Sequence, residues 1–277
     1  MADIYGAHFT YGGTASRKYG LIIASVESER MLKSSGEIRG NVFYGRATQS
    51  NKLISDDYSD SPLSFDIEFV TETDRGISQQ DRREIERWLF NRREYKKLYI
   101  DQVDDPFCDM TELVDGVQKR LYFNCRFINP TKLEYFNGVV GYRATMECDS
   151  GFLWQDSVES TFDLEAAAGD TVSTFTVVVD TDVDEYTLPK VSFTMGDVGG
   201  DVTIINNTDD STRFTKFIDI PANTTIVMDS RINYVSGSYY EYLAYQNFVR
   251  LLDGENGFTV VGNVDTITFE FQNRRML

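Results

Sequence analysis

Short alternating or β-branched runs, broken at close intervals by glycine, asparagine and aspartate, commit this chain to β-sheet. In its first half the runs are residues 19–26, 64–70, 97–103, 119–127 and 139–148. They predict a sheet or a small barrel. In its second half they are residues 173–179, 190–195, 202–205, 224–228, 258–261 and 266–271. The pairs Gly199-Gly200, Asn206-Asn207, Asp253-Gly254 and Asn256-Gly257 supply turn chemistry between or beside them, because glycine and asparagine tolerate positive φ. That spacing predicts a β-sandwich. The expected fold is mainly β, with a β-rich N-terminal domain carrying one helix and a C-terminal sandwich.

The helix is predicted where Ser78 occupies an N-cap position and Asp81, three residues on, completes a capping pattern. Ile85, Trp88 and Leu89 make its apolar face, and the pattern runs to about Arg93. Arg82, Arg83, Glu84, Arg87 and Arg92 crowd its other side, a surface for solvent or for a partner.

A chain of 277 residues predicts two domains. Charge divides it unevenly: residues 1–155 carry 20 basic and 24 acidic side chains, and residues 156–277 carry 7 and 20. Near the change, a strand-like segment gives way to the small, turn-prone residues 166–170. Domains are therefore expected at 1–155 and 156–277.

The formal charge of −17 argues against nucleic acid and anionic membranes as partners, since both need a basic face. No run approaches the roughly 18 apolar residues of a membrane helix, and the first residues lack a basic, apolar leader, so folding in the cytoplasm without membrane insertion is expected. Cys108, Cys125 and Cys148 are widely spaced and read as buried thiols in strands.

Little in the sequence offers chemistry. The histidine His8 reads as a residue of a terminal strand, and no phosphate loop, dinucleotide turn, zinc-protease helix or nucleophile elbow occurs. The acid pairs Asp56-Asp57, Asp104-Asp105 and Asp209-Asp210 are adjacent in sequence, which is not the separation across a cleft that glycoside hydrolysis requires. The segment from Asp180 to Tyr186 lacks the glycine and the distal glutamate of a calcium loop, and reads as a solvated acidic loop. No catalytic, cofactor-binding or metal-ligating residue is predicted, no cofactor is expected, and the chain is not expected to be an enzyme. Tyr234, Tyr239, Tyr240, Tyr242, Tyr245 and Phe248 fit three uses: packing on the sandwich core, a protein interface, or a platform for sugar.

The order of elements resembles that of the distal tail proteins of siphophages. In the first half the resemblance rests on KYGLIIASVE, SPLSFDIEFV, QQDRREIERWLF, KKLYID, YFNCRFINPTKLEYF and GYRATMECDSGFLW, together spanning residues 17–154. In the second half it rests on Leu188-Pro189, VTIINNT, TIVMDS and the closing RLLDGENGFTVVGNVDTITFEFQNRR, whose last strand sets Ile267, Phe269 and Phe271 on one side.

That resemblance implies a structural role in the virion, at the tail tip or baseplate, after assembly in the host cytoplasm. The N-terminal belt domain would close a homo-hexameric ring joining tail tube to tail-tip hub and adhesion apparatus, and the C-terminal domain, galectin-like or carbohydrate-module-like, would face outward. Implied partners are other copies of the chain, the tail tube protein, the tape measure protein, the tail-tip hub or tail-associated lysin, and a receptor-binding protein, with no sequence-specific nucleic acid. A ring uses head-to-tail contacts between two different faces, and the Arg-rich helix face is a candidate for one of them. The alternatives are a carbohydrate-binding sandwich protein and, more remotely, a glycosidase.

Overall fold

The computed structural model describes residues 7–26, 43–45, 52–55, 62–73, 76–90, 94–101, 111–114, 117–135, 138–164 and 172–276. It divides into two compact units, residues 1–154 with 276–277, and residues 155–275. Cys108, Asp56-Asp57, Asp104-Asp105, Arg92, Arg93 and residues 166–170 lie outside the described residues, as does the far end of the strand expected at 97–103.

The first unit contains β1 (His8–Tyr11), β2 (Thr14–Ala15), β3 (Leu21–Val26), β4 (Phe43–Gly45), β5 (Lys52–Ser55), β6 (Ser64–Thr71), α1 (Gln79–Leu89), β7 (Lys96–Asp101), β8 (Thr111–Val114), β9 (Val117–Tyr135) and β10 (Gly138–Cys148). Its main sheet runs β2-β1-β7-β9-β10-β6-β3. An antiparallel bridge from Ala7 to Ile23 returns the last strand to the first, with the Ile23 amide donating to the Ala7 carbonyl at 2.9 Å. The sheet thus closes on itself as a small barrel, which removes most of its free edge. The residue expected to begin β3, Tyr19, instead ends a 3-10 turn (Ser16–Tyr19), because Gly20 takes a left-handed φ of 57° and restarts the chain as strand.

Strand alternation fills the barrel. Phe9, Tyr11, Phe65, Phe69, Phe127 and Tyr142 are fully buried, with Phe69 and Phe127 edge to face at 5.0 Å. Cys125 and Cys148 face each other across β9 and β10 as buried free thiols. Burial pushes both thiols well up, so they stay protonated and behave as small apolar side chains.

The helix caps as its sequence predicts: the Ser78 hydroxyl accepts the Asp81 amide at 3.1 Å and donates to the Asp81 carboxylate at 2.6 Å. Ile85 and Leu89 are buried in the barrel core. Trp88 lies flat on Phe9 with ring centres 5.7 Å apart, and its indole N–H donates to the Tyr11 carbonyl at 2.8 Å.

The second unit is a sandwich. After β11 (Leu153–Gln155) come β12 (Val158–Asp163), β13 (Val172–Val179), β14 (Lys190–Met195), β15 (Gly200–Asn206), β16 (Phe214–Ile220), β17 (Thr225–Asp229), β18 (Tyr234–Val235), β19 (Leu243–Gln246), β20 (Gly254–Val261), β21 (Val264–Phe271) and β22 (Arg274–Arg275). One sheet runs β12-β21-β14-β17-β18 and the other β13-β20-β15-β16-β19. Ile267, Phe269 and Phe271 are all buried, as the closing run predicts, and Phe269 meets Phe258 of the opposite sheet at 4.8 Å.

The turn assignments need one correction. Gly254 has a φ of 84° and makes the Asp253-Gly254 bend, but Asn256-Gly257 lies within β20 and Asn206 ends β15, none with positive φ. Asn256 is instead a buried clamp. Its side-chain oxygen accepts from the Leu252 amide (2.9 Å) and the Asn206 amide group (3.0 Å), and its nitrogen donates to the carbonyls of Leu252 (2.8 Å) and Gly254 (3.1 Å). All four of its hydrogen-bonding positions are filled.

Two substitutions test these accounts. A Cβ at Gly141 would collide with the Phe69 carbonyl on β6, so Gly141→Ala is expected to cost about 1–3 kcal/mol, read as a lower urea midpoint in tryptophan fluorescence. Asn256→Ala strands buried backbone groups at the β20 bend and is expected to cost about 3 kcal/mol, read by thermal denaturation.

Candidate functional site

Among the described residues, the features that point to function lie on surfaces. Among the described residues no group of three or more His, Cys, Asp or Glu side chains is arranged to hold a metal ion. His8 sits in β1, paired with Asp101 of β7, and its Nε2 lies 2.6 Å from a Glu72 carboxylate oxygen.

The acidic residues singled out in the sequence are committed elsewhere. Asp209 takes a two-pronged contact from Arg250 at 2.7 and 2.9 Å, whereas Asp210 accepts the amide and hydroxyl of Thr212, so the two carboxylates hold separate structural contacts. The segment from Asp180 is not simply solvated. Arg275 binds Asp180 at 2.6 Å and Asp182 at 3.3 Å, Arg274 binds Glu185 at 2.9 Å, and Val183 is buried.

The tyrosine-rich segment crosses from β18 to β19, and so from one sheet to the other, through a 3-10 turn (Gly237–Tyr242). Core packing does not account for Tyr234, Tyr240 and Tyr245, which are 51%, 50% and 54% exposed, whereas Tyr239, Tyr242 and Phe248 are half-buried. Tyr245 rests on Phe214 with ring centres 5.0 Å apart.

Strand register shows that the two outward faces of the sandwich differ. Across the second sheet, Val172 pairs with Val261, Val261 with Thr203, Thr203 with Lys216 and Lys216 with Tyr245, while Ile205 pairs with Phe214 in the neighbouring row. That face mixes the exposed Val172, Val178 and Tyr245 with Thr174, Thr259, Thr203 and the ion pair of Lys216 with Asp201. The outward face of the first sheet is hydroxyl-lined and ionic, with Thr161 bonded to Thr268, Thr194 to Thr225, and Lys190 to Glu270, each at 2.9 Å. An antiparallel sheet that covers a core on one side ordinarily shows water a polar face, so the exposed Val172, Val178 and Tyr245 make this face a candidate interaction surface. Sequence periodicity locates the buried side of each strand, but the sideways neighbours that build this patch follow only from register.

In the first unit the outward face of α1 is cationic. Arg83 and Arg87 are exposed, one turn apart, opposite Ile85 and Leu89, and with Gln79, Gln80 and Glu84 they line a shallow hollow.

A family model described as a phage tail protein N-terminal domain matches residues 4–150, and one described as a phage tail C-terminal domain matches residues 153–271. The chain belongs to this family of phage tail proteins. Among solved structures, the Dit protein of phage SPP1 is similar at 12% identity and a TM-score of 0.60, over 96% of this chain and 98% of that one. A chain of the phage p2 baseplate, in its activated conformation with Sr, is similar at 8% identity and a TM-score of 0.49 over the same shares. A comparison with curated proteins found no match. The distal tail resemblance read from the sequence holds: the family is that of phage tail proteins, and the fold is shared with SPP1 Dit along almost the whole chain.

The sandwich of this tail protein should be sensitive to acid. Hydrogen bonds from Arg275, Arg231 and Lys216 hold the carboxyls of Asp180, Asp229 and Asp201 below their usual range. Between the folded and unfolded values the folded chain therefore binds fewer protons, and the stability these pairs contribute above the usual carboxylate range, about pH 4, is lost as pH falls through the depressed values. Thermal midpoints measured from about pH 6 down to about pH 2 are expected to fall, and Arg275→Ala is expected to flatten the fall.

Proposed function

We propose that this chain is a distal tail protein, a structural component of the phage tail tip without catalytic activity. Residues 1–155 act as the ring-forming belt and residues 156–277 as the outward domain. The ring is a hexamer that joins the tail tube to the tail-tip hub and adhesion apparatus. Its neighbours are the tail tube protein, the tape measure protein, the hub or tail-associated lysin and, on the outward domain, a receptor-binding protein. The protein assembles in the host cytoplasm and resides in the virion.

The observation that carries this reading is the succession of two phage tail domain models along the chain, joined to a full-length fold likeness to SPP1 Dit. That protein is described as a paradigm of the hub adsorption apparatus in phages infecting Gram-positive hosts. The surfaces support it: a cationic helix face on one unit and a sheet face with the exposed Val172, Val178 and Tyr245 on the other suit contacts with different neighbours.

A second reading draws on the exposed Tyr234, Tyr240 and Tyr245, whose rings suit stacking on sugar. Under it the sandwich binds glycan directly.

Light scattering on the purified chain over a concentration series separates the two. The tail-tip reading expects a species near six times the 31.6 kDa of one chain, with a central opening in negative-stain images. A strict monomer with measurable affinity in a glycan screen favours the second reading and counts against the first.

A further inference from the structure

The outward face of α1 holds positive charge that the described residues leave unmatched. We infer that Arg83 and Arg87 dock on the carboxylate-rich surface of the C-terminal sandwich of a second copy of this chain. The inference rests on the ring reading above and adds which two surfaces meet.

Neither guanidinium has a hydrogen bond or ion pair with any described residue, although the acids beside them do. Glu84 is held by the Tyr19 hydroxyl at 3.2 Å and by Lys18 at 3.8 Å. Glu86 is held by Lys132 at 3.1 Å and by the Tyr142 hydroxyl at 3.3 Å. The helix thus neutralises two of its own carboxylates and presents two guanidiniums bare. Because α1 is fixed by its Ser78 cap and the Trp88 indole, binding there orders two side chains and no backbone.

The sandwich has the opposite imbalance. All seven of its cations are already paired: Lys190 with Glu270, Arg213 and Arg250 with Asp209, Lys216 with Asp201, Arg231 with Asp229, Arg274 with Glu185 and Arg275 with Asp180. Its twenty acidic side chains outnumber those cations by thirteen. An arriving guanidinium therefore meets carboxylates without displacing an internal partner, and two arginines one turn apart provide the forked donors that carboxylates accept well. Nucleic acid would also engage guanidiniums, but a chain of net charge −17 repels a polyanion, and two arginines neutralise few phosphates.

Two full-length variants test the inference. Arg83→Lys with Arg87→Lys keeps both charges and supplies amines for zero-length carbodiimide coupling. In a mixture of light and nitrogen-15-labelled chains, links are expected from positions 83 and 87 to carboxylates within residues 156–277, joining light to heavy. Arg83→Glu with Arg87→Glu should keep the circular dichroism and melting of the parent chain while weakening self-association roughly 100-fold. A ring of unchanged mass in that variant, or links that stay within one chain or reach only residues 1–155, overturns the inference and leaves the ring standing. A parent chain that stays monomeric and gives no mixed links overturns both.

Discussion

The first unit depends on how Trp88 seats α1. Its ring lies on Phe9, its edge meets Tyr11 and Tyr19, and its N–H satisfies the Tyr11 carbonyl, so one side chain joins the helix to β1 and to the turn after β2. A helix of eleven residues has little stability alone, and its position comes from this apolar and hydrogen-bonded contact. With Ile85 and Leu89 inward, Arg83 and Arg87 can only face out. The same packing that completes the barrel core therefore decides which charges the unit offers to a neighbour.

The sandwich reaches rigidity by a different route. Its sheets meet through phenylalanines from the two closing strands and their partners, while its loops are held by polar clamps: Asn256 with Asn206, Arg250 with Asp209, and Arg274 and Arg275 with the acidic segment before β14. One member of each pair is buried, Arg274 at 7% and Asp209 at 6% exposure, so removing Glu185 or Arg250 would leave that buried charge without its partner. A domain built this way keeps its loops in place while its surface stays strongly acidic.

The two outward faces of the sandwich show how little composition alone says about a partner. One face bonds hydroxyl to hydroxyl from strand to strand, whereas the opposite face brings Val172, Val261, Ile205, Phe214 and Tyr245 together from five strands spread between residues 172 and 261. Exposed apolar and aromatic side chains of this kind suit contact with another protein.

Much was determined by the sequence itself. Alternation marked Ile267, Phe269 and Phe271 as one buried side, and Ser78 with Asp81 announced the helix start, because both signals depend on neighbours a few residues apart. Local alternation does not mark β16, because Thr215 faces inward, Phe214 and Ile218 face outward, and the positive φ of Asp219 shifts the pattern. Tertiary structure alone decided the rest. Whether the first sheet would stay open or close as a barrel turned on one bridge between Ala7 and Ile23. Whether Asn256 was a turn residue or a clamp turned on Asn206 and Leu252 standing within hydrogen-bond reach of it. The acids from Asp180 onward are largely exposed, as their loop predicts, but only the tertiary fold brought Arg274 and Arg275, some ninety residues away, to lie beside them. Such pairings join residues far apart in the chain, and periodicity carries information only about nearby ones.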